Sequence, residues 1–344
     1  MKLKLKRYLC YLMIFLIAFT VYSAGSNTDA AAKYYPMQVS YINVGESDSV
    51  LIQSDGKNML IDAGDTDDDK VILNYLKSKK INKLDYIIAT HPHEDHIGAM
   101  DDVIKKHSVG KVIMPIMTHT TKAYSNLVTT IKNKGLKITK PVVGTKYTLG
   151  KASFTILSPN HYNYGDNINN YSVGIKLVNG NDSFIFLGDN ETEAIDDILA
   201  NKINIKADVL MCGHHGSKTS TNEKLLNAID PDFAIISVGK NNYGHPSDST
   251  LNLLAKKKVK TYRTDKSGTI IASSTGTKIT FNAKPTEIKP AKSTDSSTAV
   301  YITKTGKKYH LSNCPYLNQS KIKTTLKDAK AKKLTPCSRC NPPK

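Results

Sequence analysis

The chain has 344 residues, a formal net charge of +18 and an apolar content of 40%. That apolar content excludes a wholly unstructured chain, and the length suffices for one large domain or two modest ones. The charge is uneven, because residues 285–344 carry 13 Lys and Arg against 3 Asp and Glu. A basic tail suits a polyanion such as nucleic acid, a teichoic acid of the cell wall or an anionic surface, although lysine also keeps secreted proteins in solution.

Residues 1–32 have the pattern of a signal peptide. Four basic side chains precede an apolar run from Leu9 to Tyr22, and three alanines at 30–32 fit a small-residue cleavage site. The run is short for a membrane-spanning helix. We therefore expect a secreted or cell-surface protein without a mature transmembrane segment, with an uncleaved N-terminal anchor as the alternative.

Strands and helices alternate along residues 37–283. Apolar runs and turn residues predict strands at 38–44, 48–53, 59–64, 84–90, 112–115, 146–158, 172–177, 183–187, 207–212, 233–238 and 269–281. Helical spacing is found at 70–79, from 97 onward, and at 123–133, 194–200, 221–228 and 250–257. Strands dominate each half, with helices between and outside them. The pattern predicts an α/β fold in which two sheets pack face to face in a four-layer αββα sandwich.

Residues 91–96 carry three imidazoles and a carboxylate at the spacing H-x-H-x-D-H. Side chains of this kind would repel or remain unsatisfied in a core, and a divalent cation such as zinc resolves that conflict. The run follows a predicted buried strand, so it lies on a loop at the carboxyl end of that strand, where sites of layered α/β folds usually lie. The sequence predicts a metal site with the ligands His91, His93, Asp95 and His96.

Three further predicted strands end in side chains that suit the same centre. Asp62 could hold the first histidines in place. Asp189 could bridge two cations, and His214 or His215 could complete the ligand set. Each signal is weak alone, because an Asp after a strand is commonly a turn or a cap, but their order after the H-x-H-x-D-H loop makes them strong together.

These ordered motifs resemble the metallo-β-lactamase superfamily over residues 37–283. The resemblance implies its αββα fold and a hydrolase with two divalent cations, zinc or manganese. The pieces LGD, HHGS, ISVG and YGHPS, at 187–189, 214–217, 236–239 and 243–247, look more specifically like the extracellular hydrolase domain of ComEC-type DNA-uptake proteins. The channel-forming segments of those proteins have no counterpart here, so we expect a free-standing secreted relative.

The superfamily pattern implies a role for each ligand. The implied ligands are His91 and His93 for the first cation, Asp95, His96 and His214 for the second, and Asp189 as the bridge. His214 is preferred to His215 because it comes first after its strand. The superfamily's third histidine on the first cation should fall near residues 169–172, where Asn stands instead. His161 could substitute, unless it is an exposed loop histidine, and a weakly held first cation could be manganese as well as zinc.

Two bridged cations lower the pKa of a shared water and supply hydroxide near neutral pH. Asp95 or Asp189 could orient that hydroxide. His245 could donate a hydrogen bond to a phosphate oxygen or a leaving group if its loop folds over the site; otherwise it is a packed loop histidine. The leading hypothesis is a secreted phosphodiesterase acting on extracellular DNA or RNA. The alternatives are another phosphodiester such as cell-wall phosphocholine, a lactone or β-lactam, and a non-catalytic polyanion-binding protein.

Residues 284–298 are rich in Lys, Pro, Ser and Thr and have the composition of a flexible linker. Residues 299–344 contain too few apolar side chains for a large core, so a module of this size needs a metal or a disulfide. The spacing H-x3-C…C-x2-C predicts one structural zinc ion, with a disulfide within the three cysteines as the alternative. The predicted zinc ligands are His310, Cys314, Cys337 and Cys340.

Overall fold

The computed structural model describes residues 36–288 and 298–343. The predicted signal peptide at 1–32, and residues 289–297 of the predicted linker, lie outside the described residues. Over 36–288 the chain forms two mixed β-sheets that pack face to face, with helices against the outer face of each. This arrangement confirms the four-layer αββα sandwich predicted from the sequence.

The first sheet has eight strands. In spatial order they are β15 (Ile279–Phe281), β14 (Ile270–Ser274), β1 (Met37–Tyr41), β2 (Val50–Ser54), β3 (Lys57–Ile61), β4 (Lys83–Ile88), β5 (Ser108–Ile113) and β6 (Ile138–Thr139). The strands from β15 to β3 pair antiparallel, and those from β3 to β6 pair parallel. The parallel half needs crossover connections, and helices supply them.

The second sheet has seven strands. In spatial order they are β13 (Lys260–Arg263), β12 (Phe233–Ile236), β11 (Val209–Met211), β10 (Asp182–Phe186), β9 (Ile175–Asn179), β8 (Ala152–Ile156) and β7 (Lys146–Leu149). β9 and β10 form a two-residue hairpin in which Asn179 pairs with Asp182. Gly180 has φ +60° in this turn, and glycine adopts this conformation without strain at the first loop position of a two-residue hairpin.

Both faces of each sheet carry apolar side chains. One face packs against the other sheet, and helices cover the outer face. Along β3, Met59 and Ile61 point between the two sheets, whereas Leu60 points outward to the helices. Each such apolar side chain contributes about 1.5–3 kcal/mol when it is fully buried. The first sheet carries α1 (Asp69–Ser78), α2 (Glu94–Ile97), α3 (Met100–Lys106) and α4 (Lys122–Asn133). The second carries α5 (Thr192–Ala200), α6 (Glu223–Ile229) and α7 (Asp248–Lys256), and the short α8 (Thr264–Ser267) follows β13.

The helix predicted from Ile97 onward differs in the structure. The chain forms two short helices, α2 and α3, with Gly98 between them. A Cβ on Gly98 would lie 2.2 Å from the backbone carbonyl carbon of Asp65, so only glycine permits this approach. The backbone N–H of Gly98 donates to the carbonyl of Gly64 at 2.8 Å. These contacts hold the metal-ligand loop against the loop that follows β3.

Residues 298–343 form a smaller unit with its own sheet. Its strands, in spatial order, are β18 (Ile322–Thr325), β16 (Ala299–Ile302), β17 (Lys308–His310) and β19 (Thr335–Pro336). The helix α9 (Leu326–Ala331) connects β18 to β19. Its apolar cluster is small: Val300, Ile302, Tyr309, Leu326 and Ala329. Across both described ranges, no helix is long and apolar enough to cross a bilayer.

Candidate metal centres

Two histidines of the loop after β4 lie next to each other. The Nε2 atom of His91 is 2.9 Å from the Nδ1 atom of His93. His91 is buried, whereas His93 lines an open cavity. Because these two nitrogens approach from one loop, they can serve a single cation.

Asp62 orients the third histidine of the loop. Its carboxylate accepts hydrogen bonds from the backbone N–H of Thr90 at 2.8 Å and from the Thr90 hydroxyl at 2.7 Å. The Nδ1 atom of His96 lies 2.8 Å from the same carboxylate. This contact places the proton of His96 on Nδ1 and turns its Nε2 lone pair to the centre. The geometry supports the orienting role expected of Asp62.

Asp189 lies between the two groups of histidines. It follows β10 and Gly188, whose φ of +51° and close contact with Ser172 suit glycine alone. Its Oδ1 is 3.4 Å from the Nε2 of His96, and its Oδ2 is 3.9 Å from the Nε2 of His91. One buried carboxylate therefore presents one oxygen to each side of the centre, as a bridging ligand requires.

The adjacent histidines after β11 diverge. Both have φ +51°, an uncommon value that makes the backbone turn sharply and separates the rings by 6.1 Å. The Nε2 of His215 lies 3.2 Å from Asp95 Oδ2, while its Nδ1 lies 3.2 Å from the carbonyl of Ser237. The Nε2 of His214 instead lies 3.7 Å from Asp189 Oδ2, the oxygen that faces His91.

The structure places His215, and not the expected His214, beside Asp95 and His96. The compact group of potential ligands is Asp95, His96, Asp189 and His215, whose ligand atoms all lie within 4.8 Å of one another. His214 is on the other side of Asp189. The sequence order could not decide between the two, because the direction of each ring is set by the backbone turn.

These residues fit a divalent cation. The Nε2 atom of His96 is completely buried and has no hydrogen-bond partner among the described residues. Leaving such a nitrogen without a partner costs about 1–3 kcal/mol. A divalent cation bound to the Nε2 atom would remove that cost. Carboxylate oxygens and imidazole nitrogens are the donor set that zinc and manganese accept.

The charges around Asp189 support the same interpretation. Burial alone would raise the pKa of the Asp189 carboxyl, but His96, His91 and His215 outweigh it and hold that pKa well below its usual range. Burial would lower the pKa of His96, yet Asp189, Asp95 and Asp62 raise it well above the ordinary value. The carboxylates therefore stabilise positive charge next to His96, and a bound cation can carry that charge.

His161 does not join the centre. Its Nε2 is 2.9 Å from Asp197 Oδ2, and its ring packs at 3.9 Å on Tyr164. The Asp197 carboxylate of α5 draws the imidazole away, so the proposal of His161 as a substitute ligand is not supported. The histidine expected near residues 169–172 is absent from the sequence, and the side-chain amide of Asn169 donates to Glu191 at 3.4 Å.

The loop that carries His245 does fold over the site. A Cβ on Gly216 would lie 2.7 Å from the side chain of Pro246, so the two loops pack closely. The ring of His245 is 5.1 Å from that of His214. Burial and the neighbouring His214 lower the pKa of His245, which favours its neutral form near neutral pH.

Several residues of the site escaped sequence reasoning. Glu191 lies 3.3 Å from the Nδ1 atom of His214. The ring of His119 lies 6.0 Å from that of His93. Glu191 follows Asp189 by two positions and His119 follows β5 by six, so proximity to strand ends was the one available signal.

The cavity has a volume of about 510 Å³. Its lining comprises Glu46, Asp65, His93, Glu94, Asp95, His119, Thr121, Asn169, Asp189, His214, His215, Tyr243 and His245.

The sequence matches the family model described as the metallo-beta-lactamase superfamily over residues 42–240. The chain belongs to the metallo-β-lactamase superfamily. Members of this superfamily are generally metal-dependent hydrolases, and that is the class to which the chain is assigned.

Similar proteins support the resemblance to DNA-uptake proteins. The chain is 32% identical over 252 residues to ComE operon protein 3 of Bacillus subtilis, a match that covers 68% of this chain and 32% of that protein. It is 32% identical over 240 residues to Recombination protein 2 of Haemophilus influenzae, which covers 68% of this chain and 28% of that protein. The chain thus spans about a third of these relatives. The solved metallo-β-lactamase fold protein YhfI from Bacillus subtilis is 14% identical, with a TM-score of 0.46 over 70% of this chain and all of that one.

The tail of this superfamily member contains a second group of metal-ligand type. His310, Cys314, Cys337 and Cys340 bring their ligand atoms within 4.8 Å of one another. The cysteines are free, and the Nδ1 of His310 is 3.2 Å from the sulfur of Cys314. Burial would raise the pKa of the Cys337 thiol, but backbone N–H groups of residues 339 and 340 lower it. Burial and the neighbouring Cys314 and Cys337 raise the pKa of the Cys340 thiol. The four ligand atoms lie close enough together to hold one metal ion.

We expect Asp62→Asn to lower the affinity of the hydrolase centre for zinc by about 10- to 100-fold. If the new amide keeps its oxygen on the Thr90 N–H, its NH2 group faces His96 Nδ1 and forces the proton onto Nε2. Competition with a chromophoric chelator measures the affinity, and Asp55→Asn, in an exposed turn, is the matched control. Equal affinity in the two variants would contradict the orienting role.

We expect Cys314→Ser to remove about one equivalent of bound zinc, because a closed tetrahedral site needs all four ligands. Elemental analysis of the dialysed protein measures the loss. Ser338→Ala, an exposed position between two of the ligands, should retain the metal. A wild-type protein without zinc in the tail, whose intact mass is two hydrogens short, would instead establish the disulfide.

Proposed function

We propose that the protein is a secreted or cell-surface phosphodiesterase that hydrolyses nucleic acid, with extracellular DNA as its principal substrate, at a centre of two zinc or manganese ions. The observation that carries the proposal is the position of Asp189, whose two oxygens face two sets of imidazole ligands. Two cations joined by one carboxylate form the arrangement that suits in-line displacement at phosphorus. Relatives named for competence and recombination favour DNA.

The second cation would be held on the Oδ1 side of Asp189. Its ligands would be Asp95, His96 and His215, since their ligand atoms form one compact group with Asp189. With a cation bound, both imidazoles would carry their proton on Nδ1, where Asp62 and the carbonyl of Ser237 are the acceptors. This leaves both Nε2 atoms free to bind the ion.

The first cation would be held on the Oδ2 side. His91 and His93 supply two nitrogens from the loop after β4. We infer that His214 would supply the third, in place of the histidine expected near residues 169–172, because its Nε2 faces the same Asp189 oxygen. Glu191 lies behind the ring at Nδ1 and can orient it, as carboxylates commonly orient metal-bound histidines.

When bound, the two cations lower the pKa of a water and neutralise charge on the phosphoryl oxygens. The chain's own residues position the reactants. The Asp95 side chain is 35% exposed at the cavity, so it can accept a hydrogen bond from the attacking water. His245, neutral and beside His214, can donate a hydrogen bond to a phosphate oxygen or to the leaving group.

The cavity cannot attract a phosphodiester through its side chains alone. Five carboxylates line it, from Glu46, Asp65, Glu94, Asp95 and Asp189. They repel an anionic substrate until cations offset their charge. Substrate binding and catalysis should therefore depend on metal together.

We expect the purified full chain to cleave labelled single-stranded DNA in the presence of manganese or zinc and to lose that activity in a strong chelator. Asp189→Asn should lower the rate by at least about 100-fold, because an amide cannot bridge two cations as a carboxylate does. Val142→Ala, an exposed change outside the cavity, is the control. Gel electrophoresis of the products measures cleavage.

The same preparation separates the alternatives. Hydrolysis of p-nitrophenyl phosphorylcholine without DNA cleavage would establish another phosphodiesterase. Turnover of nitrocefin or a lactone alone would establish acyl chemistry, and metal-dependent binding of DNA without turnover of any substrate would establish a polyanion-binding protein. Each of these results would overturn the proposed nuclease.

We expect double variants to assign the two histidines by metal stoichiometry. If His214 shares the first cation with His93, His93→Ala/His214→Ala should retain about two of three ions, whereas His93→Ala/His215→Ala should retain about one. His107→Ala, outside the cavity, is the control. If His93→Ala/His214→Ala instead retains about one ion and His93→Ala/His215→Ala about two, His214 binds the second cation.

A further inference from the structure

Tyr243 projects an aromatic ring from the rim of the catalytic cavity. It is the most exposed large apolar side chain in the described residues, at 80%, and it lines the cavity beside His245. The five other side chains that share its loop, at 241–247, are polar or small except Pro246. An aromatic ring at the mouth of a site offers its face to a planar group of a ligand.

Hydrogen bonds within the loop hold the backbone of Tyr243 in place. The side-chain oxygen of Asn241 accepts the backbone N–H groups of Tyr243, Gly244 and His245 at 3.0–3.1 Å. The amide of Asn241 in turn donates to Glu46 at 3.0 Å and to the carbonyl of His245 at 2.8 Å. The backbone that carries Tyr243 is therefore fixed before any ligand binds, which reduces the entropy lost on contact.

A series of rings connects the proposed first cation to solvent. His214 lies 5.1 Å from His245, and His245 lies 6.0 Å from Tyr243, with the last two rings inclined by 29°. If the phosphate of a nucleic acid binds at the metals, the neighbouring nucleotide lies beside these three rings. The cavity lining, taken over the described residues, includes no Lys or Arg. A strand held here must gain affinity from contacts other than basic side chains.

We propose that Tyr243 is a stacking residue for the base of the nucleotide next to the scissile phosphate, so that the substrate enters the site as a single strand. The inference rests on the proposed nuclease function and names the form of its substrate. In a duplex the base faces are stacked on one another, whereas an unpaired base offers its face to an aromatic side chain. Every base has such a face, so the contact selects for strandedness and not for sequence.

The test compares strands with and without bases, using the full chain with manganese. The substrates are a labelled oligothymidylate, a strand of the same length made of abasic tetrahydrofuran units, and the oligothymidylate paired with oligoadenylate. Tyr243→Ala should raise KM for the oligothymidylate by about 10- to 100-fold, with most of the effect in KM and not in kcat. Tyr243→Phe, which keeps the ring, should remain close to the wild type.

The abasic strand distinguishes stacking from a disturbed site. The wild type should prefer the oligothymidylate to both the abasic strand and the duplex, and the preference over the abasic strand should disappear in Tyr243→Ala. Val142→Ala, an exposed apolar change outside the cavity, should retain the preference. Equal losses of Tyr243→Ala on base-bearing and abasic strands, or a wild-type preference for duplex, would overturn the inference.

Two further outcomes are separate. If the wild type cleaves DNA and Tyr243→Ala has the wild-type KM, stacking is refuted while the nuclease stands. If the wild type cleaves none of the strands and Tyr243→Ala impairs only p-nitrophenyl phosphorylcholine, the ring contacts a quaternary ammonium group, and both proposals fail.

Discussion

The buried carboxylate of Asp189 is the constraint on which the centre depends. It lies at the end of a strand of the second sheet, yet its oxygens face His91 and His96, which follow a strand of the first sheet. The two sheets must therefore pack in their correct relative position before the ligands can hold a cation. Because the imidazoles and the carboxylate balance one another's charge, the packing of the sandwich and the chemistry of the site stabilise the same arrangement.

Sequence reasoning was sufficient where the signal is local. Continuous apolar runs such as residues 59–61 predicted strands, and the order of strands and helices along the chain predicted the layers. The hairpin at Gly180 was predictable from two residues whose conformation favours one turn. The ordered ligand motifs predicted the family, since each ligand motif follows a strand and the two packed sheets bring the ends of those strands together.

Sequence reasoning failed where the position depends on contacts between distant loops. His214 and His215 are neighbours, and two left-handed backbone conformations decide which one reaches Asp95. His161 lies close in sequence to the expected ligand position, but the carboxylate of Asp197, on a helix 36 positions later, binds it instead. The sequence pattern does not reveal which partner such a histidine binds, because the competing partners are brought together only by the fold.

The net charge of the chain has a different meaning once the site is known. The excess of lysine lies in the tail, whereas the catalytic cavity is lined by carboxylates. If the protein acts on nucleic acid as proposed, long-range attraction of the polyanion and its binding at the reacting centre would therefore arise from different groups. The tail can raise the local concentration of a nucleic acid in a salt-dependent manner. At the cavity, cations must offset the carboxylates before a phosphate can approach, and Tyr243 offers an uncharged contact that salt does not screen. Specificity for a single strand can then coexist with non-specific attraction by lysine.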